Sequence, residues 1–233
     1  DDSDDNNNTP QSPAPDAGSS SAPAAAQPAG DATHFLGEVK KLQAGKEFHG
    51  EKEFNLKSDP YLSDHAIEGT PYVPGVMGIE TFMETAAALT GNVPQGLEDV
   101  HFFLPIKLLR NRPQAVRVIG VSDGKNASME IESDFINSKG VKMGNTRRHF
   151  TAKTLSSFTS TWDEVKNNIN LDVNAAPVVT KEEIYKKYFH GPSFQVLGGI
   201  LRVNEKESLA VYNTTPKPQW PAPKALLANP MLI

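Results

Sequence analysis

The 233-residue sequence has no cysteine, which removes disulfide scaffolds, thiolate metal sites and cysteine nucleophiles. No apolar run approaches the roughly 18 residues of a membrane span. The N-terminus has neither the basic region nor the apolar core of a signal peptide. These features are compatible with a cytoplasmic location and give no membrane partner. Residues 1–30 lack Leu, Ile, Val, Met, Phe, Tyr and Trp altogether. Such a stretch buries too little apolar surface to offset chain entropy, so residues 1–32 are expected to be a disordered acidic Pro/Ala/Ser linker. The first 30 residues hold five Asp and no Lys or Arg, against 23 basic and 28 acidic residues in the whole chain. The remainder is therefore formally neutral and lacks the basic footprint of a nucleic-acid binder. A chain that opens on "DDSDD" without Met is expected to be a piece of a longer, multidomain protein.

What is there begins near Thr33. "FLGEVKKL" and "KEFHGEKEFNL" read as strands, and Asp59, Pro60, Ser63 and Asp64 mark a loop. His65 follows, then a turn at Gly69-Thr70-Pro71, then Val73-Pro74-Gly75 ahead of the clearest element in the chain. Val76, Ile79, Phe82, Met83, Ala86 and Ala87 recur at helical spacing, and Gly91, Asn92 and Pro94 stop the pattern. With only Glu80, Glu84 and Thr85 on the other face and several small residues, this reads as a buried helix wrapped by a sheet. "LEDVHFFLPIKLL", "AVRVIGVSDG", "ASMEIESDFIN" and "TRRHFTAKTL" follow as strands. Met129, Ile131, Ser133 and Phe135 share one face, and Phe102 and Phe103 read as strand core in preference to the lining of a tunnel. Arg147, Arg148 and His149 read as an exposed or half-exposed strand segment. The result is an α+β unit over 33–155. Residues 156–179 form a polar linker anchored by Trp162 and Val165. A second region, 180–233, opens with a capping box at Thr180-Lys181-Glu182-Glu183. "HGPSFQVLGGILRVN" and "ESLAVYN" read there as strands.

The six histidines include no pair at metal-ligand spacing, and there is neither a phosphate loop nor a G-x-S-x-G serine. Helix capping and the helix dipole account for Glu182 and Glu183. His65 differs by context. It lies just outside a turn that leads to a helix N-terminus near Gly75, where backbone N–H groups lack intrahelical acceptors and carry partial positive charge. Such a terminus can hold a carbonyl oxygen as negative charge grows on it. A neutral imidazole beside it can take a proton at neutral pH. Together these parts would remove a proton next to an acyl carbonyl. On the residues alone, a plain surface histidine is the competing reading.

His65-x-x-x-Gly69-x-x-x-x-Pro74 resembles the HxxxGxxxxP motif of dehydratase domains of polyketide synthases and related fatty-acid synthases. "HGPSFQ" (His190–Gln195) is similar to that family's YGPxFQ motif, with His190 in place of Tyr. "LLANPMLI" resembles the lead-in to the motif of its second catalytic residue. "VPGVMGIETF" and "FHGPSFQ" resemble the polyunsaturated-fatty-acid-synthase type. The resemblance implies a double-hotdog fold, two sheets each wrapped around a central helix, with the second hotdog incomplete. It also implies that His65 is the base that removes the α-proton of a 3-hydroxyacyl thioester, while an Asp from the second hotdog protonates the leaving hydroxyl. Gly75 N–H would hold the thioester carbonyl, and Gly69 would permit the turn that aims His65. Tyr72, Pro74, His190, Pro192 and Phe194 would border the substrate. No metal or other cofactor is implied. The substrate would arrive on the phosphopantetheine arm of an acyl carrier protein, with neighbouring synthase domains as further partners and homodimerisation left open.

Three alternatives share the fold: a non-catalytic dehydratase-like scaffold, a product-template-like cyclase, and a hotdog thioesterase, for which nothing marks a hydrolytic acid. Asp134 and Asp172 do not match the motif of the second catalytic residue, which is expected after Ile233. Sequencing of the longer protein should find an Asp shortly after that position. Its absence would favour the scaffold.

Overall fold

The computed structural model describes residues 35–137, 139–161, 163–164, 175–213 and 226–228. The expected linker 1–32, Trp162, Val165, Asp172 and the "NPMLI" stretch lie outside them.

Six antiparallel strands form the main sheet: β1 (Glu38–Gln43), β2 (Glu47–Phe54), β5 (Leu97–Phe102), β6 (Gln114–Ser122), β7 (Ala127–Ile136) and β8 (Lys142–Thr154). Their order is β1-β2-β6-β7-β8-β5. The two-residue strands β3 (Ala66–Ile67) and β4 (Thr70–Pro71) make a separate hairpin. The sheet curls around α1 (Gly75–Thr90). This is the hotdog arrangement expected from the sequence. A second, three-stranded sheet, β11-β10-β9, contains β9 (Val179–Thr180), β10 (Leu197–Val203) and β11 (Ser208–Tyr212). The capped helix α2 (Lys181–Tyr185) follows β9. Thr180 Oγ1 accepts from Glu183 N while Glu183 reaches back to Thr180 N, completing the box.

Strand alternation supplies the wall around α1. Val116, Val118, Met129, Ile131, Phe150 and Ala152 point inward and are buried with Phe82, Ala86 and Leu89 of the helix. Two glycines allow the close approach. A Cβ at Gly78 would come within 2.5 Å of the Phe150 ring, and one at Gly120 within 2.7 Å of Leu89 and 2.9 Å of Thr85. The helix starts after extended Pro74 and stops at Gly91, whose φ of 75° is left-handed and whose N–H donates to Ala87 O.

Enclosure reaches further around the helix than the apolar stripe. Val76 and Ile79 are only partly buried, whereas Thr81, Thr85, Glu80 and Glu84 are fully buried. Each threonine hydroxyl donates to the carbonyl four residues back, Met77 O and Thr81 O. The two carboxylates clip distant chain. Glu84 Oε2 accepts from Phe35 N at 2.9 Å and Leu36 N at 3.0 Å. Glu80 accepts from Leu227 N and Ala228 N, each at 2.6 Å.

Four other expectations need correction. Phe102 and Phe103 are each 52% exposed, because β5 is an edge strand and only one neighbour covers it. Phe102 still packs on Phe150 and over Gly75. Phe135 is 45% exposed. A register irregularity after Ser133 carries it past the helix, and Arg147 covers its ring instead. His149 is buried, because an irregularity in the β7–β8 pairing beside it lets it face inward along with Phe150. In the second region, the start of "HGPSFQVLGGILRVN" is a 3-10 turn at Pro192–Phe194, and the strand begins only at Leu197.

Burial raises the Glu84 carboxyl to about 8, and the neighbouring Glu80 charge adds to the rise. A raised acid holds its proton in the folded state while the unfolded chain, near its ordinary value of 4.5, has already lost it. Its contribution is complete below pH 4.5 and is lost as pH climbs toward 8, at up to about 1.4 kcal/mol per pH unit. Glu84→Gln should flatten this slope in urea titrations between pH 5 and 8. An unchanged slope would mean that Glu84 is ionised in the fold.

Candidate active site

His65 ends a 3-10 turn (Pro60–Asp64), its N–H donating to Leu62 O, and opens the β3–β4 hairpin. Glu68 and Gly69 both have positive φ, 49° and 74°, as a tight two-residue hairpin turn requires. Nothing lies within 4 Å of a Cβ at Gly69, so backbone conformation rather than space makes glycine fit there. The hairpin brings Tyr72 back alongside His65. Tyr72 N donates to His65 O at 3.0 Å, and His65 Nδ1 lies 3.0 Å from Tyr72 O. A carbonyl only accepts, so Nδ1 carries the proton and Nε2 presents a lone pair.

The strip around Tyr72 is held from its other side. Val73 N donates to Ile106 O and Leu108 N to Pro71 O, both at 2.9 Å. The Lys107 ammonium sits 5.1 Å from the centre of the Tyr72 ring. The segment leading to Lys107 is itself anchored by His149. Phe103 N donates to His149 O, while His149 Nδ1 lies 3.1 Å from Leu104 O and Nε2 lies 2.8 Å from Ser133 Oγ. By the same logic His149 is protonated on Nδ1 and accepts the Ser133 hydroxyl on Nε2.

Three rings from the second region enclose His65: Phe189 at 5.1 Å and His190 and Phe194 at 5.4 Å, centroid to centroid. Burial pushes the His65 imidazole below its ordinary value. The Tyr72 carbonyl acts against this shift, and nearby His190 adds to it. His190 is also lowered by burial and stacks on Phe189 at 4.3 Å. Phe194 continues into the main core by an edge contact with Tyr61.

Asp64 brings the two regions together. Its backbone O accepts from Gly191 N at 2.7 Å. Its carboxylate accepts from Ser193 N at 3.0 Å and from the Ser193 hydroxyl. A Cβ at Gly191 would lie 2.8 Å from Asp64 Cα, so only glycine permits this approach. Gln195 Nε2 donates to His190 O and fixes the loop further.

Of the expected site residues, the structure gathers His65, Tyr72, His190 and Phe194. Gly69 forms the hairpin turn, Pro74 is the helix N-cap and Gly75 the first helical residue. Gly75 also leaves room for Phe102, whose ring would be 3.0 Å from a Cβ there. Pro192 is exposed and starts the 3-10 turn. The Tyr72 ring packs under Lys107. In the sequence Asp64 reads only as a loop residue, and Phe189, Gly191 and Ser193 only as parts of "FHGPSFQ". Asp64 adjoins His65, and the others lie in or beside "HGPSFQ", but no sequence signal pairs residues 129 positions apart. Among the described residues no group of three or more His, Asp or Glu side chains could hold a metal ion.

Residues 34–134 match the family model described as polyketide synthase dehydratase domain, so the resemblance carried by the motifs holds over this segment. No curated protein matches the sequence. Among solved structures, the dehydratase domain of a mycocerosic acid synthase-like polyketide synthase is similar, with a TM-score of 0.64 and 17% identity. The match covers 88% of this chain and 70% of that one. The dehydratase domain from the CurF module of curacin polyketide synthase gives a TM-score of 0.55 at 18% identity, covering 72% of this chain and 62% of its own. CurK dehydratase, solved as an inactive Asp→Asn mutant and as an inactive His→Phe mutant, gives 0.51 at 18% identity, covering 72% and 59%. At these identities the likeness establishes the fold. The chain spans less than two thirds of the CurF and CurK domains.

Asp64→Ala should cost about 1–3 kcal/mol, because fully buried Ser193 loses the acceptor of its N–H and hydroxyl. Asp64→Asn keeps an acceptor oxygen and should cost less. Urea midpoints for both variants check this, and equal midpoints for wild type and Asp64→Ala would refute it.

Proposed function

We propose that this chain, related over residues 34–134 to polyketide synthase dehydratase domains, acts within a larger synthase to eliminate water from a 3-hydroxyacyl thioester. Residues 33–155 form its first hotdog and residues 180–233 the opening of the second. The observation that carries the reading is the tautomer of His65: Nδ1 is tied to Tyr72 O, and Nε2 is left as a base inside an aromatic enclosure.

In the proposed reaction Nε2 removes the α-proton. The C–H electron pair becomes the new double bond, the β C–O bond breaks, and an acid protonates the departing hydroxyl as water. The Gly75 N–H, at the start of α1, stabilises the negative charge on the thioester oxygen, where the helix dipole adds to the hydrogen bond. Phe189, His190 and Phe194 limit water around the imidazole and keep it neutral near pH 7. The acid is an aspartate that the family resemblance places after Ile233. The inactive Asp→Asn and His→Phe forms of CurK dehydratase support a machinery of one His and one Asp. An acyl carrier protein delivers the substrate, and neighbouring synthase domains supply and consume the chain.

His65→Ala in the full-length protein should lower kcat/KM for a carrier-bound 3-hydroxyacyl substrate by at least about 10²–10⁴-fold, with the fold intact by circular dichroism. The wild-type kcat/KM should fall on acidification only below pH 6.5, because the folded imidazole takes its proton later than a free one. Full turnover by His65→Ala would overturn the assignment.

A further inference from the structure

A cleft of about 360 Å³ lies between the Leu104–Leu109 segment and strands β6, β7 and β8, lined in part by Lys107, Gln114, Ser133, Arg147 and His149. Its wall contains two cations and no carboxylate. An adjoining hollow of about 370 Å³ shares Gln114, Ser133 and Arg147 and adds Arg112 and Asp134. Asp134 does not neutralise Arg147. Its carboxylate is taken by Arg117, Lys142 and Thr146, each at 2.8 Å, and these partners hold it well below the usual carboxylate range.

Arg147 stands apart from the other cations of the main sheet. Lys40, Lys41, Lys52, Arg117, Lys142, Arg148 and Lys153 each lie within 4 Å of a carboxylate. Arg147 has none among the described residues. Its guanidinium lies 5.0 Å from the centre of the Phe135 ring, as Lys107 lies 5.1 Å from that of Tyr72. Aromatic faces orient cations without cancelling their charge. The floor is preorganised as well. Ser133 and His149 are each only 5% exposed, and their mutual hydrogen bond and the tie to Leu104 O fix both side chains.

We propose that this cleft is a binding site for a phosphate ester, with Arg147 and Lys107 contacting the phosphoryl oxygens over the Ser133–His149 floor. Two cations on one cleft wall that holds no carboxylate match a phosphate carrying close to two charges. The planar guanidinium adds bidentate geometry that an ammonium lacks. This inference does not rest on the dehydratase reading, and its test does not use turnover.

The test is calorimetric titration of the full chain at low ionic strength with inorganic phosphate, 4′-phosphopantetheine and, as a control, acetate. Phosphate or phosphopantetheine should bind, with at least tenfold weaker binding in Arg147→Gln and in Lys107→Gln. Arg147→Lys should retain part of the affinity, and Arg148→Gln, which removes the Glu130-paired neighbour, should retain all of it. Tighter binding of phosphopantetheine than of phosphate would identify a tethered carrier arm as the source, and equal binding a free phosphate compound. Either result supports the site. Failure of both to bind at millimolar concentration, acetate binding as tightly as phosphate, or unchanged affinity in Arg147→Gln would overturn it.

Discussion

One helix enclosed by one sheet constrains everything else in this structure. A helix can be approached this closely only where side chains are missing, and both partners supply such a place: Gly78 against the Phe150 ring, and Gly120 against Leu89 and Thr85. Interiors pack at crystal-like density, so even one added methyl at such a contact must displace its neighbour. Within that enclosure the buried polar side chains of the helix bond to main chain. Thr81 and Thr85 return their hydroxyls to the helix backbone, and Glu80 and Glu84 draw in backbone N–H groups from elsewhere in the chain. Helix position then fixes the position of Gly75 and of the positive end of the helix dipole.

His65 is positioned mostly by hydrogen bonds to main chain. His65 is aimed by a reciprocal pair with Tyr72, Tyr72 lies in a strip bonded to residues 106–108, and the segment before that strip is tied to His149. Neutral ties to main chain of this kind are insensitive to salt, unlike exposed ion pairs. They suit a group that must hold one orientation. The aromatic half of the site comes from the second region and docks through Asp64, Gly191 and Ser193, so a turn and a loop far apart in sequence share one carboxylate.

Much of this was legible in the sequence where a residue type has one dominant physical use. Pro74-Gly75 and Gly91 mark the bounds of α1 because proline cannot donate within a helix and glycine accepts left-handed backbone. Gly69 marks the hairpin for the same reason. His65 stood out because its neighbours are turn residues leading to a helix start. Other features were hidden because their cause lies outside the local pattern. Glu80 and Glu84 read as the weakly polar face of a buried helix, and only their distant N–H partners show how carboxyl groups are held there. His149 looks exposed beside two arginines until the strand irregularity turns it inward. Phe102 and Phe103 look like core because composition does not say which strand is the edge. Arg147 looks like any surface cation until the partners of the other strand cations are known.

The clip at Glu80 has a consequence for the birth of the protein. Its two backbone donors lie 147 and 148 positions downstream. During translation at about 5–20 residues per second, roughly 7–30 seconds pass between the helix leaving the ribosome and the arrival of those donors. Through that interval the Glu80 carboxyl lacks both of these donors. The last tie of the early-made helix is therefore supplied by chain synthesised long after it.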